Sequence, residues 1–125
     1  MTKKTNNTEP VEDNFSTQFP EFDPETPYKD KIRLWVMNFK TVYEVRIPYE
    51  GKKHFAYFRK PSKSEMLLYY NNIMNSAPTK ALEILFNTCL LECDPFVKQN
   101  DEAYVSTVLA CGSFVSLFNS EVKKN

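Results

Sequence analysis

Few side chains of this 125-residue sequence are of the types that catalyse reactions or bind metals. The chain has one histidine, His54, and three cysteines, Cys89, Cys93 and Cys111. No nucleophile motif accompanies His54, which stands beside lysines in a predicted hairpin, so a structural or surface role is expected. The same four residues would be the ligands of a zinc site, but Cys89 and Cys111 fall within apolar stripes rather than in loops. We predict no catalytic residue and no metal site.

Cofactor binding is not expected either. Phosphate-binding loops need several glycines that can take positive φ, and the whole chain has two glycines. The paired carboxylates of Asp101 and Glu102 stand at a predicted helix start, where acidic residues favour the positive end of the helix. The sequence therefore predicts a non-enzymatic protein without a cofactor.

A basic cluster in the middle of the chain suggests nucleic acid as a ligand. Cations and three aromatic rings are interleaved there: Lys52, Lys53, His54, Arg59, Lys60 and Lys63 with Phe55, Tyr57 and Phe58. Rings on a sheet with flanking cations stack and steer single strands. A two-stranded sheet with one buried face has few rings to expose, however, and the formal net charge of the chain is zero. We favour a solvated hairpin with its rings in the core, and nucleic acid binding stays as an alternative.

Residues 1–27 are predicted to form a disordered acidic tail. They hold two lysines against six carboxylates, and four prolines interrupt any helix. Phe15, Phe19 and Phe22 either form a short adhesive motif, for a partner or for the domain itself, or are ordinary rings in a tail. A single compact domain is predicted over residues 28–125.

The spacing of apolar residues predicts an α+β fold for this domain. A spacing of three and four over residues 30–40 indicates a short helix, although this segment could equally begin a strand. Alternation by two on both sides of Gly51 predicts a β-hairpin over about 41–60, with Pro48 in an edge strand. The hairpin is expected to pack on a mainly helical part with three helices, over about 62–76, 79–92 and 101–122. A loop over residues 94–100 is predicted between the last two helices.

Local signals support the starts of these helices and mark one weak point. Ser62 and Glu65 fit a capping box before the first helix. Asn100 or Asp101 can cap the last one. Gly112 costs the last helix about 1 kcal/mol of propensity relative to alanine, and a close helix crossing would offset this cost.

The last two helices carry more apolar surface than one small core needs. The helix over 79–92 is apolar nearly all round, and the last helix has a heptad stripe plus a second apolar strip. Such helices lie centrally in a core or are covered by another chain. The residues predicted to bind a partner are Ile84, Leu91, Leu109, Phe114, Leu117 and Phe118. The expected partner is a helical protein held in a groove, and a homo-oligomer is also compatible.

The sequence also indicates a compartment. No apolar run approaches the ~20 residues of a membrane span, and the start of the chain is polar, so no membrane partner is expected. Three cysteines without an export signal indicate reduced thiols in a cytosol.

Four segments occur in order between Trp35 and the C-terminus: VYEV…GKKHFAYFRKPSKSE, ALEILFNTCLL, an acidic-proline loop, and a closing helix after QNDEAYVSTVLACG. In this combination, over about residues 35–125, the chain resembles small tail assembly chaperones of tailed phages and prophages, especially those of Bacteroides-type hosts. Residues 1–27 lie outside the resemblance.

The resemblance implies a non-enzymatic protein that coats the tape measure protein before the tail tube polymerises around it. Such chaperones keep apolar helices of the tape measure from aggregating in the bacterial host cytoplasm, and they are not expected in the mature virion. Two alternatives remain: a structural virion component of the neck or tail, and a small nucleic-acid-binding regulator that uses the basic hairpin.

Overall fold

The computed structural model describes residues 14–115 of the chain. It has an α+β architecture, with a three-stranded antiparallel sheet and several helices. The chain divides into two compact units, Met1–Leu34 and Trp35–Asn125. No helix within the described residues is both long and apolar enough to cross a bilayer.

Three phenylalanine rings pack together in the first unit. Helix α1, Phe15–Gln18, carries the first of them. The centre of the Phe15 ring lies 5.2 Å from that of Phe19 and 6.4 Å from that of Phe22. Both Phe15 and Phe22 are buried, and the guanidinium of Arg33 lies 5.4 Å from the centre of the Phe15 ring. Ring packing and a cation over a ring both stabilise this segment.

Residues 14–27 therefore differ from the predicted disordered tail. They form α1 and a series of turns, in which the buried Asp23 carboxylate accepts the N–H of the residue two positions later at 2.8 Å. The prediction followed the prolines and carboxylates, whereas three closely spaced rings bury enough apolar area to order a short segment. The unit boundary accordingly falls after Leu34 rather than after residue 27. The rest of the predicted tail, residues 1–13, lies outside the described residues.

The predicted hairpin is confirmed as the first part of a sheet. Gly51 in its turn has φ of 77°, a conformation that glycine adopts without strain. Pro48 lies in an edge strand, as predicted, where its missing N–H removes no bond from the centre of the sheet. The strand order is β1 (Val42–Tyr49), β2 (Lys52–Arg59) and β3 (Leu90–Cys93).

Helix α2, Lys29–Phe39, confirms the helix predicted over residues 30–40. On its C-terminal half, the Trp35 ring lies 5.4 Å from the ring of Tyr57 on β2. Tyr57 is fully buried, and its hydroxyl donates a hydrogen bond to the Glu44 carboxylate at 2.8 Å. The face of the sheet that carries Tyr57 is thus closed to solvent at this strand.

The opposite face of the sheet packs on the helices and forms the core. The register places Tyr43 opposite Phe58 and Val45 opposite Ala56, so these four side chains point to the same side. The helical and loop residues that complete the buried cluster are Tyr69, Ala81, Leu85, Phe86, Cys89, Val97, Val108, Cys111 and Phe114.

Helices α3, Lys63–Met74, and α4, Pro78–Cys89, confirm the first two helices predicted for the domain. The capping box is also confirmed. The Ser62 hydroxyl accepts the Glu65 N–H at 3.2 Å, and the Glu65 carboxylate accepts the Ser62 N–H at 2.8 Å. These reciprocal bonds satisfy donors that the first helical turn leaves free.

Strand β3 replaces the predicted end of the second helix. The apolar stripe of α4 continues through Leu90 and Leu91, so the pattern contains no signal to stop at Cys89. Long-range pairing determines the strand instead. The Asp94 N–H donates to the Phe55 carbonyl at 2.9 Å, across 39 residues of sequence. Local periodicity does not contain this information.

Helix α5, Pro95–Gln99, lies where a loop was predicted over residues 94–100. Proline suits its first position, because the N–H that proline lacks would have no partner within the helix. The helix is little more than one turn, which is too short for a helical period to be visible in the sequence.

Helix α6, Asp101–Ala110, begins as predicted. The Asn100 side chain accepts the Ala103 N–H at 2.9 Å and caps the helix. Its end differs from the prediction of about residue 122, because a 3₁₀ turn over Cys111–Phe114 follows Ala110. Residues 116–122 of the predicted helix lie outside the described residues.

Gly112 stands in this 3₁₀ turn at a point of close approach. A Cβ atom added there would lie 3.3 Å from Cδ2 of Leu82 and 3.7 Å from the hydroxyl of Tyr69. The sequence predicted that a close helix crossing would account for this glycine. The structure shows instead that side chains of α3 and α4 approach it, so an added Cβ atom would require a small shift of the Leu82 side chain.

Candidate protein-binding surface

The single histidine is held in a structural contact between β2 and the start of α5. The His54 ring stacks on that of Phe96, with 4.1 Å between centres, and its Nδ1 lies 3.4 Å from Oδ2 of Asp94. The same Asp94 oxygen accepts the Phe55 N–H at 3.0 Å. This carboxylate is thus engaged with the backbone of β2, and its position explains why the chain turns there.

Arg59 and Glu65 form a second polar cluster, also with a structural role. The guanidinium donates two bonds of 2.8 Å to the Glu65 carboxylate and a third of 2.8 Å to the Thr88 carbonyl. Hydrogen bonding from Arg59 is the largest cause that lowers the pKa of Glu65 to about 2. The cluster connects the end of β2 with the start of α3 and the end of α4.

The cysteines are free thiols in apolar surroundings. Cys89 and Cys111 are fully buried, and Cys93 is half-buried. Burial raises the pKa of all three, that of Cys111 to about 12, which disfavours the reactive thiolate. Within residues 14–115, no three His, Cys, Asp or Glu side chains are grouped so as to hold a metal ion.

The basic hairpin buries the three rings that were predicted to stack on single strands. Its three rings are at most 2% exposed: Phe55, Tyr57 and Phe58. Lys52 and Lys53 are exposed at the turn, but the cation of Arg59 is engaged with Glu65. The rings predicted to stack bases are thus inaccessible, and the exposed ring nearest to these lysines is that of Tyr49, which pairs with Lys52 and is 41% exposed.

Of the residues predicted to bind a partner, the four that the structure describes do not form one exposed surface. Ile84 and Leu91 are half-buried, while Leu109 is 59% exposed. Phe114 is only 4% exposed and stacks on Tyr43 with 4.5 Å between ring centres. Its assignment to a partner is corrected here, because the end of α6 at Ala110 turns Phe114 into the core. Leu117 and Phe118 lie outside the described residues.

The sequence analysis missed Val105, which lies one helical turn before Leu109 and is 53% exposed. The signal was present in the spacing of four between these two residues, but the predicted strip continued from Leu109 in the other direction. The two side chains extend outward on α6, whereas Ala103, Thr107 and Val108 on its other side are buried. Helix α6 is therefore apolar on both sides.

Acidic residues border this exposed strip. Asp101, Glu102, Val105 and Ser106 line a shallow depression of about 360 Å³. A second cleft of about 200 Å³ shares Glu102 and Ser106, and the apolar residues on its far side include Pro48, Tyr49 and Phe96. We call the four residues that line the first depression, together with Leu109 one helical turn after Val105, the α6 surface: Asp101, Glu102, Val105, Ser106 and Leu109.

The α6 surface combines exposed apolar and exposed acidic side chains. Its two apolar residues, Val105 and Leu109, lie one helical turn apart. Its two carboxylates are exposed and would attract a cation.

Comparisons of the chain with protein-family models, with curated proteins and with solved structures find no match.

Proposed function

We propose that this chain is a non-enzymatic tail assembly chaperone of a tailed phage, and that its α6 surface binds helical segments of the tape measure protein. The observation that carries the proposal is the exposure of Val105 and Leu109 on a helix whose other side is already packed in the core. Exposed apolar side chains in successive turns cost solubility unless another molecule covers them. The resemblance of residues 35–125 to tail assembly chaperones supplies the class of partner.

The chemistry of the α6 surface specifies what the client segment should contain. Apolar residues spaced by three or four would pack against Val105 and Leu109. A lysine or arginine near one end of that segment would lie beside Asp101 and Glu102. Tape measure proteins with long amphipathic helices offer many such segments, so several copies of the chain would coat one client.

The modest size of this surface supports transient binding. The surface area that a few side chains bury falls well below the roughly 1,200–2,000 Å² that stable protein–protein interfaces bury. Such complexes form and dissociate readily, which suits a protein that protects a client in the host cytoplasm and leaves before the virion matures.

Co-expression with a tape measure protein from the same phage tests this proposal. We expect the full chain to keep the client soluble and to co-purify with it. A double variant, Val105→Glu with Leu109→Glu, should lose at least tenfold in affinity, because it places two unpaired charges against the apolar side of the client and removes the apolar area of the contact. Met37→Glu on α2 is the matched control, since Met37 is 79% exposed and lies on another helix; it should bind like the unchanged chain.

Three results would count against the proposal. Equal binding by the double variant and the control would exclude the α6 surface as the binding site. Recovery of the chain in stoichiometric amounts from purified virions would favour a structural component of the neck or tail. A salt-sensitive gel shift that Lys52→Ala and Lys53→Ala abolish would favour a nucleic-acid-binding regulator.

A further inference from the structure

A second exposed apolar area lies on α3, away from the α6 surface. Leu67 is 65% exposed, Leu68 45% and Met74 82%. Leu67, Asn71 and Met74 are spaced by four and three, so they lie along one side of the helix, and Leu68 adjoins them. We call these four residues the α3 outer face. The inner side of the same helix packs in the core through Tyr69.

The α3 outer face belongs to a long stretch without charge. Residues 66–79 contain no Asp, Glu, Lys or Arg, although 26% of the chain is charged. Exposed helices of soluble proteins ordinarily present charged side chains to water. This helix presents leucine, methionine and asparagine instead, so its outer face has apolar area and no charge that a partner would need to match.

Asn71 has a property that selects one kind of partner. It is exposed, and no side-chain hydrogen bond holds it among residues 14–115, in contrast to Asn72, which donates to the Leu68 carbonyl at 2.9 Å. A carboxamide has both donors and acceptors, so two of them can bond to each other reciprocally. A two-fold axis brings such a residue next to its own copy, where a charged residue would repel itself.

We propose that the α3 outer face is a contact between two copies of this chain, related by a two-fold axis near Asn71. The uncharged apolar area and the self-complementary amide both fit a second copy. The α6 surface does not fit this role, because Asp101 and Glu102 would face like charges. The inference concerns a different face from the proposed client site and stands without it.

The two helices run antiparallel in this contact. Leu67 and Met74 lie four residues before and three residues after Asn71, so each leucine would pack against the methionine of the other copy. Lys63, one turn before Leu67, would then lie near the C-terminal end of the other helix, where the helix dipole favours a cation. A parallel arrangement would instead bring the two Lys63 side chains together.

Sedimentation velocity of the full chain, from about 1 µM to about 1 mM, tests the contact, since a small apolar interface implies an affinity in this range. We expect the unchanged chain to shift from monomer to dimer. Asn71→Asp and Asn71→Lys should each weaken dimerisation at least tenfold, because each places two like charges near the axis. An equimolar mixture of these two variants should form a heterodimer again.

Asn87→Asp is the matched control, because Asn87 is exposed on α4 and the charge change is the same; it should dimerise like the unchanged chain. Met74→Glu is a second disrupting variant, and it too should be monomeric while retaining its circular dichroism spectrum. A chain that stays monomeric at about 1 mM overturns the inference. So does a dimer that is unaffected by the charge at position 71, or a mixture of the two variants that remains monomeric.

Discussion

At the scale of single residues, the ion pair of Arg59 and Glu65 joins three elements. Arg59 ends β2, Glu65 lies in the first turn of α3, and the same guanidinium reaches the Thr88 carbonyl near the end of α4. The planar guanidinium can make all three bonds at once, which a lysine ammonium cannot do in the same geometry. Glu65 is also part of the capping box of α3, together with Ser62.

The pKa of Glu65 makes this contribution dependent on pH. It is lowered from 4.5 to about 2, first by hydrogen bonding from Arg59 and then by the Ser62 bonds, while burial acts in the opposite direction. A carboxyl group whose pKa is lower in the folded chain binds its proton less tightly there. Its stabilisation is therefore complete above about pH 4.5 and disappears as the pH falls toward 2.

We predict that Glu65→Gln lowers the free energy of unfolding by about 1–2 kcal/mol at pH 7, less than the full shift in pKa would give because the pair is partly solvated. The difference between the two proteins should shrink to near zero as the pH approaches 2. Urea unfolding measured at a series of pH values checks this. A difference for Glu65→Gln that stays constant over this pH range would contradict the linkage.

At the scale of elements, Gly112 couples the end of α6 to α4. The 3.3 Å between a Cβ atom at this position and Cδ2 of Leu82 leaves little room for a larger side chain. Adding atoms to a filled site forces neighbours from their preferred rotamers. The break from α-helix to 3₁₀ turn thus occurs at a position where helix propensity is low and space is limited.

Gly112→Val should therefore lower the free energy of unfolding by about 1–3 kcal/mol. In a chain that also carries Leu82→Ala, the same substitution should cost at least about 1 kcal/mol less, because the smaller side chain leaves space for the valine. A double-mutant cycle by urea unfolding measures this coupling. Additive effects of the two substitutions would show that the contact does not limit position 112.

The elements that the sequence predicted correctly have local causes. Alternation by two and a glycine turn determine the hairpin, and Ser62 with Glu65 determines the start of α3. The Asn100 cap similarly marks the start of α6. In each case the residues that decide the structure lie within a few positions of it, so a single sequence contains the signal.

The elements that the sequence predicted incorrectly depend on distant residues. Helix α4 stops at Cys89 although its apolar period continues, because Arg59 binds the Thr88 carbonyl and β2 offers a free edge to the next four residues. Phe114 was assigned to a partner because its burial depends on the rings of Tyr43 and Phe58. Of the two apolar residues of the α6 surface, Leu109 was predicted from the sequence to bind a partner. To assign Val105 as well, one must know which side of α6 is packed in the core.

At the scale of the whole molecule, the core of the second unit draws on every element from β1 to the 3₁₀ turn, and two thiols lie inside it. Cys89 and Cys111 are fully buried, whereas Cys93 is half-buried at the end of β3. Reagents can reach the first two only when the core opens.

We expect a thiol reagent at pH 8 to label Cys93 first in the folded protein. Cys89 and Cys111 should react at least about a thousandfold more slowly than Cys93, because their exposure requires global unfolding. Mass spectrometry of peptides after timed labelling separates the three sites. In denaturant all three should react at similar rates. Labelling of Cys111 as fast as Cys93 in the native protein would show that the core opens locally.

The central position of β2 has a consequence for synthesis of the chain. Translation completes β2 well before β3. Phe55 cannot form its hydrogen bonds to Asp94 until the chain has grown by 39 more residues. During that interval the hairpin presents an unpaired backbone edge beside the apolar residues Ala56 and Phe58, which is the kind of edge that neighbouring nascent chains can join. Nascent chains on one polysome can therefore associate through this edge after the hairpin has left the ribosome and until β3 has followed and paired with β2.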